Sequence, residues 1–129
     1  STIMLIMMNK KILIVDDEAD IRFLLKRALT SQNYSVLEAG NLKQGLDIFN
    51  ETNPDIVILD VNLPDGSGIY YARKFKNEKN IVIFISADHD KLADGYKDLG
   101  ANGFIKKPFV ISELIDTINK IQIKTPTIN

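Results

Sequence analysis

Five polar side chains stand at or just after the ends of strand-like runs of this sequence, namely Asp16, Asp17, Asp60, Ser86 and Lys107. Clustered carboxylates repel one another, and their pKa values rise unless a cation shares the site. Mg²⁺ is the natural partner, because it prefers oxygen ligands and keeps several waters. A carboxylate neutralised in this way can attack phosphorus, while an ammonium and a hydroxyl stabilise the charge that develops on the transferred oxygens. The residue types therefore predict a phosphoryl acceptor, if the fold brings them together.

The elements that would position these side chains are β-strands alternating with helices. Five strand-like runs, three of them apolar on both faces, alternate with segments of helical period, which indicates a parallel sheet covered on both faces. The strand-like runs are residues 11–15, 34–39, 56–59, 81–85 and 103–107. Right-handed crossovers then favour a doubly wound (βα)5 three-layer α/β sandwich. Ligands bind such sheets beyond the carboxyl ends of the strands, where the five side chains would converge.

Helix signals are uneven along the chain. Asn41, with Gln44 three residues later, predicts a capped helix start. Leu92, Tyr96 and Leu99 predict a fourth helix that stops at Gly100. Five helices are expected in all, in strict alternation with the strands.

Length and composition bound the class of protein. The chain has 129 residues, 16 basic and 17 acidic side chains and no cysteine. This fits one domain without a disulfide framework or a cysteine nucleophile, and no net field favours nucleic acid or an anionic membrane. We expect a cytoplasmic protein, with an N-terminal extension at residues 1–8, the folded domain at residues 9–123 and a tail at residues 124–129. The apolar start is shorter than the roughly 20 residues that span a bilayer.

Four segments together resemble the signature of the receiver domains of two-component response regulators. They are Val15–Glu18, Leu59–Gly68, Ile85–Ala87 and Lys106–Phe109, and the resemblance covers about residues 9–123. It implies a flavodoxin-like fold with a five-stranded parallel sheet in the order 2-1-3-4-5. It also implies Mg²⁺ as the cofactor. The implied partner is a sensor histidine kinase or a phosphotransfer protein that donates the phosphoryl group.

The resemblance assigns metal and acceptor roles by matched position. Asp60 would be the phosphoacceptor, and Asp16 and Asp17 the metal-binding acid pair. The backbone carbonyl of Asn62 would be the third protein ligand of Mg²⁺, beside Asp17 and Asp60.

The resemblance also assigns phosphate-binding and switch roles. Ser86 would be the switch hydroxyl, and Lys107 rather than Lys106 the phosphate-binding lysine, because it directly precedes Pro108. The Lys107–Pro108 bond would be cis. Phe104 stands at the switch-aromatic position. The implied output surface consists of the fourth helix, the fifth strand and the fifth helix, and it would control a protein target, an output domain absent from this sequence or a phosphorylation-dependent dimer.

Plainer interpretations of the same residues stay open. The three aspartates and Ser86 can cap helices or turns, and Phe104 can be an ordinary core residue. His89, the one histidine, is more readily explained as a solvated loop residue than as a phosphorelay histidine. The stretch Asp65–Gly68 lacks the Lys-Ser/Thr of a phosphate loop, and a turn is expected there.

Three function classes follow from these residues. The first is a phosphorylation switch that is not an enzyme acting on other substrates. The second is a phosphatase of the haloacid-dehalogenase type. Asn62 and Pro64 argue against it, because such phosphatases have an acid and a threonine at these two positions. The third is a receiver-like scaffold that binds partners without phosphorylation. The intact acid set argues against that scaffold.

Overall fold

A five-stranded parallel sheet forms the centre of the computed structural model, which describes residues 10–88 and 92–124. The strands are β1 Lys11–Val15, β2 Ser35–Ala39, β3 Ile56–Asp60, β4 Ile81–Ser86 and β5 Gly103–Lys106. Their spatial order is β2-β1-β3-β4-β5 and every neighbouring pair is parallel. This confirms the predicted sheet and strand order. β3 lies at the centre, and all five of its residues are buried.

The helices within the described residues vary in length. They are α1 Ala19–Ser31, α2 Leu42–Thr52, α3 Gly68–Tyr71 and α4 Ile111–Lys124, with a 3₁₀ turn at Ala72–Phe75 after α3. α2 begins as predicted, because the side chain of Asn41 accepts a hydrogen bond from the backbone N–H of Gln44 at 2.8 Å. Residues 61–68, here called the acceptor loop, include the stretch Asp65–Gly68 in which a turn was expected. They contain a short antiparallel pair in which Asn62 faces Ser67 and Leu63 faces Gly66.

The predicted helix over Leu92, Tyr96 and Leu99 is largely wrong. Leu92 is helical, but residues 93–100 form successive turns. The backbone N–H of Tyr96 reaches the carbonyl of Leu92 at 3.1 Å, and later bonds such as Leu99 to Tyr96 span three residues. Gly95 lies inside this stretch, and glycine lowers helix stability by about 1 kcal/mol relative to alanine. We call residues 92–100 the turn segment.

The core has two parts, one on each face of the sheet. Leu25 of α1 and Leu114 of α4 pack with alternate strand residues such as Ile58 on one face. Leu42 of α2 and Phe75 pack with the intervening strand residues on the other. Because the central strands are apolar on both faces, helices must pack on both faces of the sheet, which gives the predicted three layers.

Several predictions fall on residues outside this description. The N-terminal extension at residues 1–8, the chain beyond Lys124 and the environment of His89 lie outside the described residues. Within the described ranges, none of the helices combines the length and the apolar composition needed to cross a membrane.

Candidate functional site

The three predicted aspartates meet at the carboxyl ends of β1 and β3. Asp16 directly follows β1, and Asp60 is the last residue of β3, which pairs with β1. Asp16, Asp17 and Asp60 each offer a carboxylate oxygen, and these oxygens lie within 4.8 Å of one another. Asp16 and Asp60 are buried, whereas Asp17 is exposed. The structure therefore brings together the acid set that the sequence singled out.

Lys107 reaches into this acid cluster from the end of β5. Its ammonium nitrogen lies 3.0 Å from Oδ2 of Asp16 and 3.2 Å from Oδ2 of Asp60. Its backbone N–H donates to the carbonyl of Ser86 at 2.9 Å, which continues the pairing of β4 with β5. The peptide bond to Pro108 is cis, as the family resemblance implies. Lys106, the competing lysine, is exposed.

Burial and like charge make Asp60 an unusual carboxyl group. Burial raises its pKa above 3.8, and the nearby charge of Asp16 raises it further, while Lys107 and the backbone N–H of Asn62 pull in the opposite direction. For Lys107, burial alone would lower the pKa. The contacts with Asp16 and Asp60 outweigh burial, so the net shift of the Lys107 pKa is upward. The site thus combines two buried acids with one cation held in its charged form.

The oxygens of Asp16 give an independent test of whether a cation fits. Oδ1 accepts a hydrogen bond from the backbone N–H of Glu18 at 2.8 Å. Oδ2 is buried, and its one close polar contact among the described residues is the 3.0 Å ion pair with Lys107. A buried, incompletely satisfied carboxylate oxygen beside two further carboxylates is a suitable donor set for a hard divalent cation.

The acceptor loop is held close against Asp60. The N–H of Asn62 donates to Oδ1 of Asp60 at 3.2 Å, and the N–H of Gly68 donates to the carbonyl of Val61 at 2.7 Å. A Cβ added at Gly68 would collide with the carbonyl oxygen of Asp60. Glycine is therefore required here for a close backbone approach, which fixes where the loop leaves β3.

Ser86 and Phe104 lie on neighbouring strands but not side by side. Ser86 is buried at the end of β4, and its Oγ accepts a hydrogen bond from the N–H of Asp88 at 2.9 Å. Phe104 faces Phe84 across the β4–β5 pairing, is half-buried and packs against the second core cluster. This arrangement is compatible with both the switch interpretation and the plainer ones.

Sequence reasoning missed four residues that shape the site. Glu18 lies 3.8 Å from the ammonium of Lys107, and the acidic run that begins at Asp16 was a signal for it. Arg22 donates to the backbone carbonyl of Asp16 at 2.6 Å. Asp65 and Gly68 were assigned only to a turn, and their contacts with α2 and with Asp60 depend on the tertiary fold.

Comparison with known proteins agrees with this geometry. The family model of the response regulator receiver domain matches residues 12–119. The sporulation initiation phosphotransferase F of Bacillus subtilis is 38% identical over 117 residues, covering 88% of this chain and 94% of that protein. The chemotaxis protein CheY of Thermotoga maritima is 34% identical over 119 residues, covering 88% and 98%.

Longer relatives match over only part of their length. The phosphate regulon transcriptional regulatory protein PhoB of Pseudomonas aeruginosa is 35% identical over 125 residues, which cover 92% of this chain and 54% of that protein. The chain thus spans about half of this regulator.

Among solved structures, a response regulator receiver domain protein from Clostridium thermocellum superposes with a TM-score of 0.80 at 30% identity, covering 89% of this chain and 95% of that one. The chemotaxis response regulator CheY4 of Vibrio cholerae gives a TM-score of 0.77 at 25% identity, covering 87% and 98%. With the acid cluster, the lysine and the strand order described above, these matches establish that the chain belongs to the response regulator receiver domain family.

Proposed function

We propose that this receiver domain accepts a phosphoryl group on Asp60 from the phosphohistidine of a sensor histidine kinase or a phosphotransfer protein. One observation carries the proposal. The ammonium of Lys107 contacts both Asp16 and Asp60 at strand ends where Asp17 offers a third carboxylate oxygen. Receiver domains are generally not enzymes in the usual sense. The proposed chemistry is therefore limited to the domain's own phosphorylation and autodephosphorylation.

The side chains have distinct parts in the proposed transfer. An Asp60 oxygen forms a bond to phosphorus as the bond from phosphorus to the donor's imidazole nitrogen breaks, and that nitrogen keeps the electron pair. The product is an acyl phosphate on Asp60. Lys107 pairs with a phosphoryl oxygen, and the hydroxyl of Ser86 donates a hydrogen bond to another, so the added charge is stabilised inside a largely buried site.

Mg²⁺ fits the donor set, and we assign it to Asp16, Asp17, Asp60 and the backbone carbonyl of Asn62. When bound, the ion would neutralise the acids and the charge on the phosphoryl oxygens. Asp17 is the exposed member, so it is the ligand most open to solvent exchange. The buried Asp16 holds its place through the hydrogen bond from Glu18 and the charge of Lys107.

The output proposal concerns the surface made of the turn segment, β5 and α4, here called the output face. Ser86 would move toward the phosphoryl group, and Phe104 would turn inward into the space that Ser86 leaves. These movements would change the output face and so control a protein target, a linked output domain or dimerisation. No contact with nucleic acid or membrane is proposed for the domain itself. We assign it to the cytoplasm, with which a chain that contains no cysteine is compatible.

Incubation with acetyl phosphate and Mg²⁺ tests the proposal. Intact-protein mass spectrometry should detect one added phosphoryl group on the wild type and none on Asp60→Asn. The wild type should also remain unphosphorylated when EDTA removes the Mg²⁺. Equal labelling of the wild type and Asp60→Asn would refute the assignment of the acceptor. Absence of labelling in the wild type would favour the phosphorylation-independent scaffold. Family membership already argues against the phosphatase alternative.

A further inference from the structure

The carboxylate of Asp65, at the tip of the acceptor loop, is bound to the start of α2. Its Oδ1 accepts a hydrogen bond from the N–H of Leu42 at 2.9 Å, and its Oδ2 accepts one from the N–H of Lys43 at 3.0 Å. The partners are separated by 23 and 22 residues in the chain. These hydrogen bonds hold the pKa of Asp65 below 3.8, so the group is a carboxylate near neutral pH.

These two hydrogen bonds satisfy backbone N–H groups that the start of a helix leaves without partners. The first four N–H groups of a helix have no partner within it. In α2, the side chain and the carbonyl of Asn41 accept from Gln44 at 2.8 Å and from Gly45 at 3.0 Å. The N–H groups of Leu42 and Lys43 remain, and Asp65 accepts both. A negative charge at this end of the helix is also favoured by the helix dipole.

Strand pairing and a contact with α2 also hold the residues on either side of Asp65 in the acceptor loop. Asn62 faces Ser67 and Leu63 faces Gly66 in the antiparallel pair that flanks the tip. Gly66 has a φ of +152° and lies against Leu42, whose Cδ1 would be 3.1 Å from an added Cβ. Asp65 therefore ties the whole loop, including Asn62, to α2.

We propose that Asp65 is a positioning residue for the cation site, because its carboxylate fixes the loop that presents the carbonyl of Asn62. This inference deepens the proposed function and rests on it. Residues that orient metal ligands without touching the metal commonly affect metal affinity by about 10–100-fold. We expect Asp65→Ala to weaken Mg²⁺ binding by about tenfold. Asp65→Asn, which keeps one acceptor oxygen, should have a smaller effect.

The experiment is a Mg²⁺ titration of the full chain followed by amide NMR shifts, with urea unfolding of each variant in EDTA. Asn41→Ala is the matched control, since it removes the other side-chain cap of α2 without touching the acceptor loop. Asp47→Asn on α2 controls for the loss of one exposed negative charge. Both Asp65→Ala and Asn41→Ala should lower the urea midpoint, but only Asp65→Ala should weaken Mg²⁺ binding by about tenfold.

The outcomes separate the inference from the proposed function. If the wild type binds Mg²⁺ and both Asp65 variants bind it equally well, the positioning role is wrong and the proposed function stands. The positioning role is also wrong if Asn41→Ala or Asp47→Asn weakens binding as much as Asp65→Ala does. If the wild type shows no Mg²⁺-dependent shifts, the metal site itself is wrong and the inference falls with it.

Discussion

The ammonium of Lys107 lies 3.2 Å from Oδ2 of Asp60, and this ion pair joins the end of β5 to the end of β3 across the intervening strand β4. The two residues are 47 positions apart in the chain. Lys107 also contacts Asp16 at 3.0 Å, so one side chain connects three strand ends.

Lys107→Ala should slow phosphorylation by acetyl phosphate by about 100-fold, since it removes the ammonium expected to stabilise charge on the transferring oxygens. Lys106→Ala is the matched control, because that neighbouring lysine is exposed and makes none of the ion pairs seen in the described part of the chain. Rates are measured by mass spectrometry at fixed Mg²⁺. Similar rates in the two variants would show that Lys107 has no special part.

The raised pKa of Asp60 predicts a pH dependence of stability without metal. Folded Asp60 binds its proton more tightly than the unfolded chain, so its contribution to the free energy of unfolding falls as pH rises from 3.8 through the raised value. Asp60→Asn lacks this titration. Its urea midpoint in EDTA should therefore rise relative to that of the wild type between about pH 4 and about pH 7. A constant difference over this range would contradict the burial and charge effects assigned to Asp60.

Asp17→Asn should weaken Mg²⁺ binding by about tenfold or more, because it removes one of three clustered carboxylates from a site for a hard cation. A Mg²⁺ titration of the wild type should shift the amides near Asp16, Asp17, Asp60 and Asn62. Asp20→Asn, which removes an acid from the first turn of α1, is the control for long-range charge. Unchanged amide shifts at millimolar Mg²⁺ in the wild type would contradict the metal site.

Ser86→Ala should leave the acceptor chemistry largely intact while uncoupling it from the output face. The variant loses the bond from the N–H of Asp88, at a cost of about 1 kcal/mol in stability. The measurement compares shifts induced by a phosphodonor at Leu92, Tyr96 and Leu99 in the wild type and the variant. If the phosphorylated variant gives wild-type shifts, the coupling of Ser86 to Phe104 is wrong and Phe104 is an ordinary core residue.

Gly68→Ala should lower the free energy of unfolding by about 1–3 kcal/mol, because its Cβ would collide with the carbonyl oxygen of Asp60 and displace the loop. Gly40→Ala is the control. An added Cβ there meets only side-chain atoms, the nearest at 3.5 Å, and we expect a change within about 0.5 kcal/mol. Urea unfolding measures both. Equal stabilities of the two variants would contradict the close approach of Gly68 to Asp60.

The sheet and the acid cluster were predictable because they depend on local pattern. β3 and β4 are apolar on both faces, and this pattern alone places them inside a covered sheet. Since parallel strands share one carboxyl edge, Asp16 and Asp60 were expected at that edge, and the pairing of β1 with β3 makes them neighbours there. The order of the strands came from the family resemblance rather than from periodicity.

Two features could not be predicted in this way. The spacing of Leu92, Tyr96 and Leu99 suits a helical face, but the same side chains also reach the core from turns around Gly95. Asp65 was predicted only as a turn residue. Its role at the start of α2 was not predictable, because its partners Leu42 and Lys43 come near it only when the chain folds. Periodicity reports burial better than backbone conformation, and it carries no information on such long-range caps.

The hydrogen bonding of the turn segment predicts fast amide hydrogen exchange in part of the output face. Its amides bond within short turns, such as Gly95 to Leu92 at 3.3 Å and Gly100 to Lys97 at 3.1 Å, rather than in a continuous helical ladder. Segments held by few cooperative hydrogen bonds open at a low free-energy cost. Amide protons in this stretch should therefore exchange with solvent long before those of β3. The proposed output face thus includes a segment whose hydrogen bonds should open at a low free-energy cost.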